Sequence, residues 1–268
     1  MTSLNIARYT GLAAREWSRI RLGCTAASVA IFAAAVVVLG ALTPGYNQWS
    51  DTVSRLGSPG ERWALAARAV FMAYGLLVIT GAGTLRPSVS RHGRALALLL
   101  TLYGATCIVA GLAPKDQPGA PHTAMSQVHV ASTVVGGALA IGAMVLVARF
   151  GLTRRARRAA IVLAPCTGLA AAVFRFTWGT PVYGLCERVV LGLGMGWISV
   201  LATRALTRPP GRARWRSGRG RRASCGRACA GCVSGGSRRC GRSGRAGRRS
   251  RRWCGRGRAG AGRRARGR

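Results

Sequence analysis

The chain has 268 residues, and its 41 Lys and Arg outweigh 5 Asp and Glu to give a formal charge of +36. Hydrophobic residues make up 49% of it, unevenly spread: the last 60 residues hold 21 Arg, 15 Gly and no acid, which leaves the first 208 about 55% apolar. An apolar fraction that high, gathered into long uncharged runs, excludes a pair of ordinary soluble domains.

A bilayer core about 30 Å thick needs about 20 mostly apolar residues per helix. Six stretches qualify, in chain order Cys24–Leu42, Trp63–Leu85, Ala95–Ala113, His129–Ala148, Ala159–Trp178 and Leu185–Thr203. None alternates with the period of two that a membrane strand needs, so the spans read as helices. The expected fold is all-α, a polytopic bundle of six transmembrane helices over residues 23–208. It follows a cytoplasmic segment, 1–22, and precedes a disordered Arg/Gly-rich tail, 209–268. The first apolar run exceeds the roughly 7–15 residues of a signal-peptide core and reads as a retained signal-anchor. Small residues allow close helix approach in lipid, so Ser132, Gly136 and Ala140, and the cluster Gly192, Gly194 and Gly196, are expected at helix contacts.

Orientation follows from the connections. Arg8, Arg15, Arg19 and Arg21 precede the first span; Arg86, Arg91 and Arg94 follow the second; Arg149, Arg154, Arg155, Arg157 and Arg158 follow the fourth; Arg204 and Arg208 follow the sixth. These 14 cations face Arg55, Arg62 and Lys115 in the opposite loops, so the positive-inside rule places both termini in the cytoplasm. Four of the five acids, Asp51, Glu61, Asp116 and Glu187, then fall on the outer side, with His122 and His129. Arg68, Arg175 and Arg188 lie a few residues inside the outer ends of their spans. An ionisable group in a span is costly, about 2.5–3.5 kcal/mol at the centre, although a single Arg near a helix end snorkels to the interface. Several charges at one depth from separate segments mark a site.

Three motifs lie on that face. They are Ser50-Asp51-Thr52-Val53-Ser54-Arg55-Leu56-Gly57, then Pro114-Lys115-Asp116 followed by His129, then Gly184-Leu185-Cys186-Glu187-Arg188-Val189. In order and in the number of spans between them they resemble the S-x-LG, P-x-D…H and G-L-x-E-R elements of the bacterial membrane-protein family called domain of unknown function 998. The resemblance covers roughly residues 24–207 and implies a six-helix integral protein of the bacterial plasma membrane, of unknown activity. Arg55 departs from the family pattern, in which an acid is expected.

If neighbouring helices bundle, Asp51, Ser54, Asp116, His129, Glu187 and Arg188 converge at the outer surface, with Arg68, His122 and Arg175 as secondary candidates. Three readings of this cluster stand open. In the structural one, Asp51 or Asp116 pairs with Arg188 or Arg68, and Glu187 with Arg175, fixing the loops to the bundle. In the binding one, the excess of outer arginines grips an anionic lipid or small anion. The alternative is a membrane-embedded hydrolase built on the His, Asp and Ser residues. A helix over 122–129 would set the two His about 10.5 Å apart along its axis, too far for one Zn²⁺. No metal or other cofactor is expected, for no H-E-x-x-H, nucleophile elbow or phosphate-binding glycine loop occurs and no facing histidines suggest haem.

Cys24, Cys107, Cys166 and Cys186 lie at different depths and read as small apolar filler. In the tail, Cys229-x-x-Cys232 lacks the second pair of a zinc site. That tail has too little apolar content to fold, and its arginines suit anionic lipid better than any specific nucleic acid, with Trp215 and Trp253 its only aromatics. Its abrupt change of composition after Thr207, with one Lys to 40 Arg in the whole chain, also fits a frameshift product of a GC-rich gene with no selected function.

Overall fold

The protein is seen in a computed structural model that describes residues 3–117 and 119–207. The tail expected to be disordered, with its Cys229 and Cys232, lies outside the described residues. Six α-helices follow one another: α1 Ser3–Leu42, α2 Ala64–Ala82, α3 Gly93–Leu112, α4 Ala124–Phe150, α5 Arg154–Phe176 and α6 Tyr183–Leu206. All six are long and apolar enough to cross a membrane. The described residues form no strand beyond one isolated bridge, Val89 to Gly151, so the all-α expectation holds.

The helix limits depart from the hydropathy runs where polar residues belong to a helix that the runs leave out. α1 takes in the arginine leader, and its 40 residues reach about 60 Å, twice a bilayer core. α4 starts five residues before the apolar run, at a Thr123 cap whose hydroxyl accepts the Ser126 N–H at 3.2 Å. Thr153 does the same for α5, accepting from Ala156 N–H at 3.2 Å, and Arg154–Arg158 form the first turn and more of that helix. α2 is shorter than its run. It ends at Ala82 and passes into a 3-10 helix, Gly83–Ser88, which contains Pro87.

Each helix packs on its neighbours in sequence, and α1 also packs on α6, which closes the bundle. α5 rests outside, against α4 and α6, which touch each other. Glycines set the tightest approaches: a Cβ on Gly75 of α2 would strike the Gly104 carbonyl of α3, and one on Gly81 would strike Thr25 of α1. Thr25 in turn donates to Leu77 O at 3.0 Å, a hydrogen bond between helices where no water competes. The core is aromatic at this level, with Phe32 edge-on to Phe71 at 5.0 Å and Tyr74 edge-on to Tyr103 at 6.2 Å. Ser132, Gly136 and Ala140 are all buried, and Gly136 meets Thr106 of α3, so this stripe packs as expected. The α6 cluster does not. Residues two apart on a helix point apart, and only Gly194 of the three is buried.

Large apolar side chains cover the outside, among them Leu65 at 78% exposure and Leu169 at 68%, as a lipid-facing surface requires. At one end, where the second and fourth connections lie, Ser90 N–H donates to Phe150 O and Leu152 N–H to Ser88 O, each at 3.1 Å. The opposite end carries the first, third and fifth connections and nearly all the acidic residues. This is the polar end.

Candidate functional site

The first connection builds the site. After α1 the chain turns at Gly45, which holds φ at +70°, and then forms a short 3-10 helix, Val53–Gly57. Val53, Ser54, Leu56 and Gly57 of that helix are buried, so the loop is a plug in the polar end of the bundle. It docks on α6 through backbone. Leu185 N–H donates to Trp49 O at 2.8 Å, and Gly184 lies so close that a Cβ would fall on the Asp51 main chain. Glycine is required there by the approach of another backbone.

Two side chains of α6 finish the docking. The Arg188 guanidinium donates to Asp51 O and Gly184 O, each at 2.8 Å, to Gln48 Oε1 at 2.8 Å, and to the Tyr46 hydroxyl. It also lies 5.7 Å from the Tyr46 ring centre. Burial pushes the Tyr46 phenol up to about 12, against the opposing pull of Arg188. Glu187 accepts the Val53 N–H on one oxygen and the Ser54 hydroxyl, 3.0 Å away, on the other.

Ser54 has a second neighbour. His129 of α4 is 4% exposed, and its Nδ1 lies 2.9 Å from Ala110 O and 2.8 Å from Ala113 O. Two carbonyls on one nitrogen require a hydrogen on it, which fixes the ring and turns Nε2 to Ser54 Oγ at 3.0 Å. Glu187, Ser54 and His129 thus tie α6, the plug and α4 into one chain of hydrogen bonds, buried at Ser54 and His129 and half-buried at Glu187. The distance from Ser54 to His129 suits a nucleophile and its base. The acid, however, sits on the serine and not behind the histidine, and backbone carbonyls take the place it would hold in a triad.

Beside this chain a cleft of about 460 Å³ opens between the first, third and fifth connections. Its lining includes the charged Asp51, Arg55, Lys115 and Asp116, with His122, Trp178 and Tyr183. The Arg55 guanidinium reaches Asp51 at 2.6 Å and Glu61 at 3.3 Å, and its donation to Asp51 raises the Arg55 pKa. Asp116 accepts the Thr123 N–H at 2.7 Å and the Thr123 hydroxyl at 2.8 Å; the N–H donation holds its carboxyl below the usual range. Lys115 differs from both. Its ammonium lies 5.5 Å from the Trp178 ring centre and 5.7 Å from that of Tyr183, with the Thr52 hydroxyl at 3.5 Å. Among the described residues no carboxylate pairs with it. Burial lowers its pKa from the ordinary lysine value, with Glu187 opposing.

The six main candidates do gather at the polar end, but the expected ion pairs do not form. Arg188 binds only neutral oxygens. Arg68 donates to Gly111 O and Leu112 O at the end of α3, where carbonyls lack helical partners, instead of meeting an acid. Arg175 is exposed and makes no hydrogen bond or ion pair among the described residues; its charge acts on Tyr183, and it does not pair with Glu187. His122 precedes the α4 cap and is exposed at the cleft, so no helix joins it to His129. Among the described residues no three His, Cys, Asp or Glu gather to hold a metal ion, and the four cysteines there are free.

Sequence reasoning missed Tyr46 and Gln48, and counted Lys115 only as a charge. One signal was available: Lys115 is the single lysine of the chain and stands inside the Pro114-Lys115-Asp116 motif. No curated protein and no solved structure matches the chain. Over residues 26–204 it matches the family described as "Protein of unknown function (DUF998)". All three motifs lie inside that match, so the plug, its α6 anchors and the cleft lysine fall within the shared region, and the chain belongs to this family of multi-pass membrane proteins.

Proposed function

We propose that this is a protein of the bacterial plasma membrane with both termini in the cytoplasm, and that its polar end faces outward and binds an anionic group, phosphate or carboxylate, at Lys115. One observation carries the reading: a lysine ammonium half-buried in a cleft, with aromatic rings on one side and no acid paired to it. Such a cation gains most from an anion supplied by a ligand. Three of the arginines at this end serve the fold, since Arg188, Arg68 and Arg55 have donors engaged within the protein. The tail, with its 21 Arg, adds contact with anionic lipid at the inner surface.

The test is an equilibrium titration of detergent-purified protein with glycerol phosphate and with short-chain phosphatidylglycerol, followed by the fluorescence of Trp178 with Trp178→Phe as the control. Saturable binding that weakens at least tenfold in Lys115→Gln is expected; equal binding by the variant removes the reading. Alkaline phosphatase fused after Gly119 should be active and after Arg91 inactive, and the reverse pattern would refute the orientation.

The hydrolase alternative has one observation in its favour, the 3.0 Å approach of Ser54 Oγ to His129 Nε2. Ser54 is 6% exposed and does not line the cleft, and Glu187 occupies its hydroxyl. A fluorophosphonate probe that labelled Ser54, and failed to label His129→Gln, would promote this reading over the binding one.

A further inference from the structure

We propose that the ligand of the cleft is a membrane lipid with an anionic headgroup, which reaches Lys115 sideways from the bilayer along the seam between the polar-end halves of α5 and α6. The inference rests on the anion reading and narrows it to one source. Packing along α5 is uneven. Its buried residues, Ala156, Ala160, Ala164 and Thr167, form a stripe that stops at mid-helix, and no residue from Gly168 to Phe176 is buried. α6 shows the same change at the same depth, for no residue from Leu185 to Leu193 is buried, whereas Gly194, Met195, Trp197 and Ile198 are.

Glycine leaves room on both helices. A Cβ on Gly168 or on Gly192 would meet nothing within 4 Å. Gly168 lies about 12 Å along the axis from the end of α5, and Gly192 about 13–14 Å from the start of α6, so both sit near mid-bilayer. The seam closes at its polar end, where the Phe174 and Tyr183 rings stack at 4.6 Å. Tyr183 then lines the cleft and flanks Lys115 together with Trp178. Trp178 is 63% exposed and Phe176, the last residue of α5, 86%, an aromatic rim at headgroup depth at the polar end of the seam. A lipid lying in the seam sets its acyl chain against Gly168 and Gly192 and its phosphate beside Lys115.

Charge argues for a lipid over a free anion. Asp51 and Asp116 balance Arg55 and Lys115 around the cleft, so the lining charge sums to zero with His122 neutral. A small anion from solution gains little in a neutral cleft open to water and salt. An anion that also buries an acyl chain gains with every methylene removed from water or fitted against the helices.

The experiment uses the full chain in nanodiscs with phosphatidylglycerol carrying a diazirine in its acyl chain. After irradiation, crosslinks are mapped by mass spectrometry and competed with unlabelled phosphatidylglycerol or with glycerol phosphate. Crosslinks concentrated at 168–176 and 185–193, at least fivefold weaker in Lys115→Gln and in Gly192→Leu, are expected. Gly192 is exposed, and Gly168→Leu provides a second filling variant if the first proves unstable by size exclusion. Crosslinks spread evenly over all lipid-facing helices, or undiminished by both fillings, would overturn the lipid route. Glycerol phosphate competing as well as the lipid would also overturn it, while leaving the anion reading intact. If neither compound bound in the separate titration, both proposals would fall.

Discussion

The polar end has two sides that treat charge in opposite ways. On the plug side, Arg188 makes four hydrogen bonds and both oxygens of Glu187 are occupied, so every charge is answered from within the protein. On the cleft side, Lys115 meets rings and a distant hydroxyl. The first arrangement suits a part that must not move, because an unanswered donor or acceptor away from water is expensive. The second leaves the ammonium without an ion-pair partner among the described residues, as the proposed ligand site requires. Motif residues of similar type thus do different work within one face, and their partners, not their identity, separate them.

That contrast is open to breakage. The largest effect is expected on the plug side: Arg188→Ala strands several acceptors and should lower stability by about 2–4 kcal/mol, read as a fall in folded yield and thermal midpoint. Gly184→Ala should act as severely, since its methyl group would displace the Asp51 main chain. Glu187→Gln keeps an acceptor for Val53 N–H and should cost less, about 1–2 kcal/mol, by the same measurement. On the cleft side, Lys115→Gln should leave the midpoint unchanged or slightly raised, because it removes a partly buried charge, while binding falls at least tenfold, about 1.4 kcal/mol.

A pH series sharpens the contrast. In the proposed reading the ammonium form of Lys115 holds the anion, and burial lowers its pKa below the ordinary lysine value. Affinity should therefore be full at neutral pH and fall as pH rises through that lowered pKa, with proton uptake on binding in the same range. Binding that persisted unchanged above the ordinary lysine pKa would exclude Lys115 as the contact. The smallest effect belongs to Arg175→Ala. This exposed arginine has no hydrogen bond or ion pair among the described residues, so stability should not change measurably.

Much of the fold was legible in the sequence, because a membrane span announces itself by length and composition alone. The misplaced ends of α4 and α5 show the limit: a hydropathy run stops at Arg or Ser, but a helix continues to its Thr cap. The gathering of Ser54, His129 and Glu187 was foreseeable from short connections and neighbouring spans. Their bonding was not, since it depends on how deeply residues 53–57 sink into the bundle. The ion-pair expectation failed for a related reason. Helix ends and extended loops offer unpaired carbonyls at the same depth as the carboxylates, and Arg68 and Arg188 took those. The proposed role of Lys115 was hidden because Trp178 of the fifth connection and Tyr183 at the start of α6 stand more than sixty residues away in the chain.

The most direct test measures thermal midpoint and anion binding together in Lys115→Gln and Arg188→Ala. The account predicts that Lys115→Gln keeps its midpoint and loses the anion, while Arg188→Ala loses its midpoint. If Lys115→Gln instead unfolded as Arg188→Ala does, or bound the anion as the natural protein does, the division of the polar end into a fixed side and a binding side would be contradicted.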